Sequence, residues 1–302
     1  MPRRLMTIVI ALLSLGGAAR AQEVTLAAVG DVLLARYVGV TIRKHGADYP
    51  LAKVAPTLKK NDLVLFNLEC PLSKRGVPTH FKYLFRANPA LAKSLRAGGL
   101  NVASVANNHT MDYGRTALLD TISALKKAGI TPVGAGPNSA AAIRPVVVRV
   151  KGLKVGFLAY TDVDNFGVSP RKDRPTTAHV REATLAKEIR AAKRKSDVLV
   201  VSFHWGNEYW RKPSERQKRL AKIALAGGAD LILGHHPHVL QPAMKHGGKI
   251  VVYSMGGFVW DAVRPDRTRS NIYVFRLGKN RAELKEVIPV RIVRCQPRLV
   301  GL

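Results

Sequence analysis

Apolar residues in this chain fall into short, nearly unbroken runs separated by polar loops. Such runs occupy residues 24–29, 63–68, 102–106, 198–203, 231–233 and 250–253. Runs this short, bounded by turn residues, predict strands buried on both faces rather than amphipathic edge strands. Residues 146–150 and 154–160, joined through Lys151-Gly152, predict a hairpin, and 271–293 returns to strand-like segments. Between the runs the spacing becomes helical. Leu91 and Leu95 share a face after Asn88-Pro89, which predicts an N-cap with proline at the first helical position. Leu118, Leu119, Ile122 and Leu125 predict a helix over 114–128 that stops at Gly129. Ser214 and Gln217 have capping-box spacing ahead of Leu220, Ile223 and Leu225. Strands alternating with helices predict an α/β domain whose functional loops gather at the carboxyl ends of the strands.

The N-terminus breaks this pattern. Arg3 and Arg4 precede an apolar run over 5–15 and then the small-x-small sequence Ala19-Arg20-Ala21. This is the layout of a secretory signal peptide cleaved after Ala21. The run is shorter than the roughly 20 residues a bilayer span requires, so retention as an anchor is the lesser reading. The expected organisation is a signal peptide over 1–21 and one domain over 22–302. The expected location is the periplasm, cell envelope or extracellular space, with a membrane association only if the signal is retained.

Charge narrows the partners. The chain carries 49 Lys and Arg against 20 Asp and Glu, a formal net charge of +29; loss of Arg3, Arg4 and Arg20 leaves +26. Such a surplus concentrates anions at the surface. Basic residues are scattered, and the denser stretches at 190–195 and 211–222 read as helix faces, so charge alone selects no ligand. No basic motif interleaved with aromatics appears, and an exported protein would seldom meet nucleic acid, which is therefore not an expected partner. An anionic envelope polymer or a phosphate-containing envelope substrate remains. Cys70 and Cys295 are the only cysteines. Export would permit a disulfide, but sequence alone does not pair them.

Reactive side chains concentrate where the apolar runs end. Gly234-His-His-Pro-His238 places three imidazoles within four residues. Imidazole is costly to bury without partners, and in its neutral form it is the commonest ligand of transition metals. His204 closes another run in Phe203-His-Trp-Gly-Asn-Glu208; its bland reading is a capped loop histidine. Asp31, after Gly30, suits a hard or borderline cation or a turn that bonds its own backbone. Glu69 lies in Asn67-Leu-Glu-Cys-Pro71, where the proline stops the strand. Asn107 and Asn108 fit a tight loop, and His109 with Asp112 three residues on fits an imidazole oriented by a carboxylate for proton transfer. Trp205, Tyr209 and Trp210 either shape a cleft or pack on the next helix. If these ends are neighbours, they frame a pocket for metal ions.

Val29-Gly-Asp-Val-Leu-Leu34, Asn67-Leu-Glu-Cys-Pro-Leu72, Ala106-Asn-Asn-His-Thr-Met-Asp-Tyr-Gly114, Ser202-Phe-His-Trp-Gly-Asn-Glu-Tyr209, Gly234-His-His-Pro-His-Val-Leu-Gln-Pro242 and Tyr253-Ser-Met-Gly-Gly-Phe258 occur in order over nearly all of the chain after residue 21. Together they resemble the CapA branch (capsule, or poly-gamma-glutamate, biosynthesis proteins) of the calcineurin-like metallophosphoesterases. The resemblance implies a calcineurin-like metallophosphatase fold, a four-layer α/β/β/α sandwich of two mixed sheets flanked by helices. It implies two divalent ions, with Mn, Fe or Zn equally compatible. Asp31 and His238 would serve the first ion, Glu69 would bridge, and Asn108, His204 and His236 would serve the second. Asn67 and His235 are further candidates. His109 would act as acid toward a leaving group, steadied by Asp112. The wider pattern begins Asp-x-His, whereas Leu33 stands here; its second motif supplies Asp where this chain reads Asn-Leu-Glu, and Thr110 follows the histidine where an acid is usual.

The function this resemblance implies is a part in poly-gamma-glutamate synthesis, export or attachment, alongside a capsule synthase complex, with hydrolytic chemistry at the metal site. A metal-dependent phosphoesterase of another envelope substrate is the alternative. A non-catalytic polyanion-binding protein with a relict metal site is the third reading.

Overall fold

The computed structural model describes residues 23–165 and 173–301; the signal-peptide expectation over 1–21 lies outside the described residues. In chain order the elements are β1 (Val24–Val32), α1 (Arg36–His45), α2 (Ala55–Leu58), β2 (Leu63–Leu68), α3 (Leu91–Ala97), β3 (Val102–Ser104), α4 (Gly114–Lys127), β4 (Thr131–Val133), β5 (Ala135–Gly136), α5 (Ser139–Ala142), β6 (Val146–Val150) and β7 (Leu153–Thr161). They continue with β8 (Thr176–Thr177), α6 (Glu182–Lys193), β9 (Val198–His204), α7 (Glu215–Ala226), β10 (Leu231–His235), β11 (Leu240–His246), β12 (Lys249–Met255), β13 (Gly257–Val259), β14 (Arg269–Gly278), β15 (Arg281–Val293) and β16 (Gln296–Leu299).

Two mixed sheets result. One has the order β16-β15-β14-β1-β2-β3-β4, with β13 also pairing β1. In it β1 to β4 run parallel, and β14 joins β1 antiparallel. The other has the order β11-β12-β10-β9-β7-β6. Its centre is parallel and its outer strands β11 and β6 are antiparallel.

Alternation along the strands explains why these sheets stack and why each also carries helices. Leu26 and Ala28 of β1 join Phe157, Val200 and Leu233 in one apolar cluster, so this core lies between the sheets. Ala27 and Val29 face the other way, into a cluster with Val38 and Ile42 of α1 and Leu125 of α4. On the second sheet Leu199, Val201 and Phe203 turn outward to Leu185 and Ile189 of α6 and Leu220 of α7. Successive side chains on a strand alternate faces, so continuous apolar runs feed two cores at once. Three cores separate four layers, which is the α/β/β/α sandwich expected from the resemblance.

Some boundaries differ from the sequence reading. β9 and β10 extend through His204 and His235 because those residues still pair across the parallel ladder. β3 stops at Ser104, short of residue 106. α3 begins at Leu91 rather than at Pro89, because Pro89 and Ala90 form a turn in which Asn88 Oδ1 accepts from Ala90 N at 3.0 Å. The Ser214–Gln217 capping box is formed in both directions. Cys70 and Cys295 are both buried and free, so no disulfide joins them. Cys70 sits in the helix-side core, where burial pushes its thiol up to about 12. Among the described residues no helix is long and apolar enough to cross a membrane.

Candidate metal centre

The parallel strands of both sheets end at the same edge, and the reactive side chains ride on those ends. Asp31 is opposite Asn67 in the β1–β2 ladder, and His235 is opposite His204 in the β10–β9 ladder. Close approach of the backbones there depends on glycine. A Cβ on Gly30 would lie 1.9 Å from the Gly256 carbonyl oxygen, and one on Gly234 would lie 2.0 Å from that of Tyr253. The loop after β10 is strained: His236 and His238 adopt φ of +93° and +55°. Non-glycine residues hold that conformation only where surrounding contacts fix it, as at many functional sites.

Asp31, Glu69, Asn67, Asn107, Asn108, His109, Asp112, His204, His235, His236 and His238 are all buried. Asn67 organises the acids. Its amide nitrogen is 2.9 Å from Asp31 Oδ1, 3.0 Å from Glu69 Oε2 and 3.4 Å from His204 Nδ1. Two amide protons serve three acceptors, so one acceptor is always short of a donor. Asn107 holds Asn67 in place by donating to its Oδ1 at 2.9 Å and to the Leu68 carbonyl at 2.8 Å. His238 Nδ1 meets Asp31 Oδ2 at 2.9 Å, and its Nε2 is 3.5 Å from Glu69 Oε1. His204 Nε2 meets Asn108 Oδ1 at 2.8 Å. The rings of His204 and His236 lie 4.8 Å apart.

Among the described residues this arrangement leaves buried polar atoms without hydrogen-bond partners: Glu69 Oε1, His236 Nδ1 and both ring nitrogens of His235. His235 Nδ1 is 3.2 Å from Asp31 Oδ1, but without hydrogen-bond alignment. Each such orphan typically costs about 1–3 kcal/mol, so a cluster of them requires an explanation. Electrostatics points the same way. Burial would raise Asp31, but His235 and His238 beside it hold its carboxyl well below the usual range. Burial and the Asp31 charge push Glu69 well above its usual range. Burial, with the other imidazoles adding to it, keeps His204 well below its ordinary value and pushes His236 down to about 3. Neutral imidazoles present lone pairs, and two crowded carboxylates call for positive charge. Glu69, His236 and His238 offer ligand atoms within 4.8 Å of one another, and so do Asp31, Glu69 and His204. Glu69 belongs to both groups. The donor set of imidazole, carboxylate and amide suits a borderline divalent metal. On the donors and the orphaned atoms, the residues present fit such ions.

Next to this cluster, His109 Nδ1 lies 3.0 Å from Asp112 Oδ2, which also accepts from Phe85 N at 2.6 Å. Burial raises Asp112, and the pairing with His109 opposes that shift. The Phe85 ring packs on the imidazole at 4.1 Å. A cleft of about 520 Å³ opens above, lined by His109, His236, His238, Asn108, Arg36 and Glu208 together with aromatic walls. Trp260 stacks on His238 at 4.2 Å, and Arg267 lies 3.4 Å above the Tyr209 ring. Trp205 instead packs flat on Phe203 in the core and donates to the Tyr253 carbonyl at 2.9 Å. The structural roles of Phe85, Trp260 and Arg36 had no sequence signal, since none is spaced to mark a site; Asn107 was visible only as a loop former.

The layered sheets and the acid, amide and imidazole cluster at their shared edge define the class: the fold is that of the calcineurin-like metallophosphoesterases. It is shared with the NAD nucleotidase of Haemophilus influenzae, at a TM-score of 0.57 and 15% identity, over 89% of this chain and half of that longer one. The chain belongs to the family described as bacterial capsule synthesis protein PGA_cap, which matches residues 25–262. It is 35% identical over 287 residues to the capsule biosynthesis protein CapA of Bacillus anthracis, covering 92% of this chain and 70% of the relative. It is 33% identical over 272 residues to the PGA biosynthesis protein CapA of Bacillus subtilis strain 168, covering 89% of this chain and 72% of the relative.

Proposed function

We propose that the protein is exported through residues 1–21 and acts on poly-gamma-glutamate during its synthesis, export or attachment, using a two-ion site for hydrolysis. The observation that carries this reading is the buried set Asp31, Glu69, His204, His236 and His238, with its orphaned atoms, at the base of an open cleft. Asp31, Glu69, His204, His236, His238 and Asn108 would hold the ions, with Asn67 and His235 completing the surround. Bound divalent ions would supply Lewis-acid polarisation of the scissile group and activation of a water. The chain's own residues do the rest. Asn67 fixes both carboxylates through one amide. Phe85 and Trp260 shield His109 and His238 from water. With Asp112 ionised, Nδ1–H of His109 donates to that carboxylate, and the imidazolium form would give its Nε2 proton to a leaving group in the cleft and return to the neutral Nδ1–H tautomer. Arg36, whose Nε is 3.0 Å from Asp261, presents positive charge to an acidic substrate at the cleft wall.

The test is incubation of purified protein with defined-length poly-gamma-glutamate and Mn or Zn, following chain length by gel electrophoresis and bound metal by mass spectrometry. Metal-dependent shortening or transfer, lost in Asp31→Ala together with the metal, is the expected result. Less than one equivalent of metal under saturating conditions, or polymer unchanged by active protein, overturns it. The fold and the His109–Asp112 pair equally suit a phosphoesterase of an envelope substrate, and hydrolysis of aryl phosphate diesters without any effect on polymer would favour that reading.

A further inference from the structure

The pole opposite the metal centre carries a second concave, positively charged surface. Thr25 pairs with Arg276 near the start of β1, and Asp31 lies six residues further along, roughly 20 Å away at strand rise. Two grooves of about 520 and 440 Å³ meet there, sharing Arg276, Arg281 and Glu283. The first adds Lys151 and Lys279; the second adds Lys245 and Lys285. Against these six cations the linings hold Glu23 and Glu283 as the only acids among the described residues. Arg276 pairs with Glu23 at 3.1 Å, Lys151 with Asp62 at 2.9 Å, and Arg281 with Glu283. Such exposed pairs are weak and easily exchanged for another anion. Lys245, Lys279 and Lys285 are exposed and have no ion pair among the described residues. The frame beneath is rigid. Arg276 and Glu283 are cross-strand partners in the β14–β15 hairpin, and the hairpin turn is tied down where Asn280 N donates to the Asp197 carbonyl at 2.8 Å.

We propose that this double groove binds a linear polycarboxylate, holding a polymer chain remote from the metal centre. The inference rests on the polymer reading above and adds a place where the polymer is held. A chain with a carboxylate on every repeat can lie along a trough and meet successive cations, which a small anion cannot do. Concavity suits a strand of polymer better than the flat surface of lipid headgroups. Among the described residues neither groove is lined by an aromatic ring, so neither shows the stacking platform that single-stranded nucleic acid uses. Separation from the cleft lets a held chain present a distant segment or terminus to the catalytic edge.

The experiment is titration of fluorescein-labelled poly-gamma-glutamate with the full chain, read by anisotropy at several salt concentrations. The groove variant is Lys245→Glu, Lys279→Glu and Lys285→Glu together. The charge-matched control is Arg190→Glu, Arg194→Glu and Lys195→Glu around the end of α6. Thermal melts establish that both are folded. The groove variant is expected to weaken binding roughly tenfold or more and to flatten its salt dependence, with the control changing it less than about threefold. Equal weakening by both variants means that net charge alone attracts the polymer, and overturns the site. Undiminished binding by the groove variant, with loss in the cleft variant Arg36→Glu, overturns this inference but leaves the proposed function standing. Absence of polymer binding by the wild-type chain at low salt defeats both. Loss of binding to phosphatidylglycerol vesicles by the groove variant, with polymer binding intact, assigns the surface to a membrane instead.

Discussion

Replacing Glu69 with Gln should stabilise the metal-free protein and abolish its stabilisation by metal. Glu69 is fully buried, Oε2 accepts one hydrogen bond from Asn67, and Oε1 accepts none. Its carboxylate shares with Asp31 and His204 a group of ligand atoms within 4.8 Å. Two like charges at that separation repel by about 3 kcal/mol at an effective dielectric constant near 20. Contact of Asp31 with His238 at 2.9 Å reduces this, so a net gain of about 1–3 kcal/mol is the expected magnitude. Gln can keep the bond from Asn67 with its carbonyl oxygen while removing the charge. The sign with pH follows from the raised Glu69 value. Stability from a carboxyl whose folded value is raised is present in full at acid pH and is lost as pH rises through that folded value. The advantage of Glu69→Gln should therefore grow from pH 5 to pH 8. Metal reverses the order: at 100 times Kd a single bound ion stabilises the wild type by about 2.7 kcal/mol and the variant hardly at all. Denaturant unfolding in EDTA and with added Mn or Zn at both pH values measures all four terms. A variant less stable than wild type in EDTA at pH 8 would show that this carboxylate is satisfied by the protein alone, and the case for the metal centre would lose its main support.

Asp112→Asn should lower any hydrolytic turnover by roughly 10–100-fold while leaving metal content unchanged, because it releases His109 without touching a proposed ligand; activity assays paired with metal analysis check it, and joint loss of both would move Asp112 into the metal surround. Gly30→Ala should cost at least about 3 kcal/mol or prevent folding, since the added methyl would overlap the Gly256 carbonyl at 1.9 Å; soluble yield and thermal melting measure it. Ser214→Ala should remove the α7 capping box and cost about 1 kcal/mol in denaturant unfolding, with no change in bound metal.

Much of the architecture was legible in the chain. Nearly unbroken apolar runs such as 198–203, interrupted only by Ser202, call for cores on both sides rather than a one-faced sheet, and the Leu199–Val200–Val201 alternation supplies them. The capping box at Ser214 was readable because both partners are three residues apart and local. Less was readable where the contact is distant or backbone-made. α3 starts two residues after the proline, and nothing in residues 88–91 separates a turn from a first helical turn. β9 and β10 run one or two residues longer than their apolar content suggests, because ladder pairing does not depend on side-chain polarity.

The sequence by itself determined which residue types stand at the strand ends: the imidazoles of 235, 236 and 238, the acids at 31 and 69, and the His109–Asp112 spacing. These are consequences of local order and of where apolar runs stop. Only the tertiary structure decided that Asn67 bridges two carboxylates, that Phe85 and Trp260 wall the cleft, that both cysteines are buried and free, and that scattered basic residues on β11, β14, β15 and two hairpin turns meet in one trough. Each of these depends on segments far apart in the chain being brought to one edge or one pole by the stacking of two sheets, and side-chain spacing along a chain carries no information about that distance.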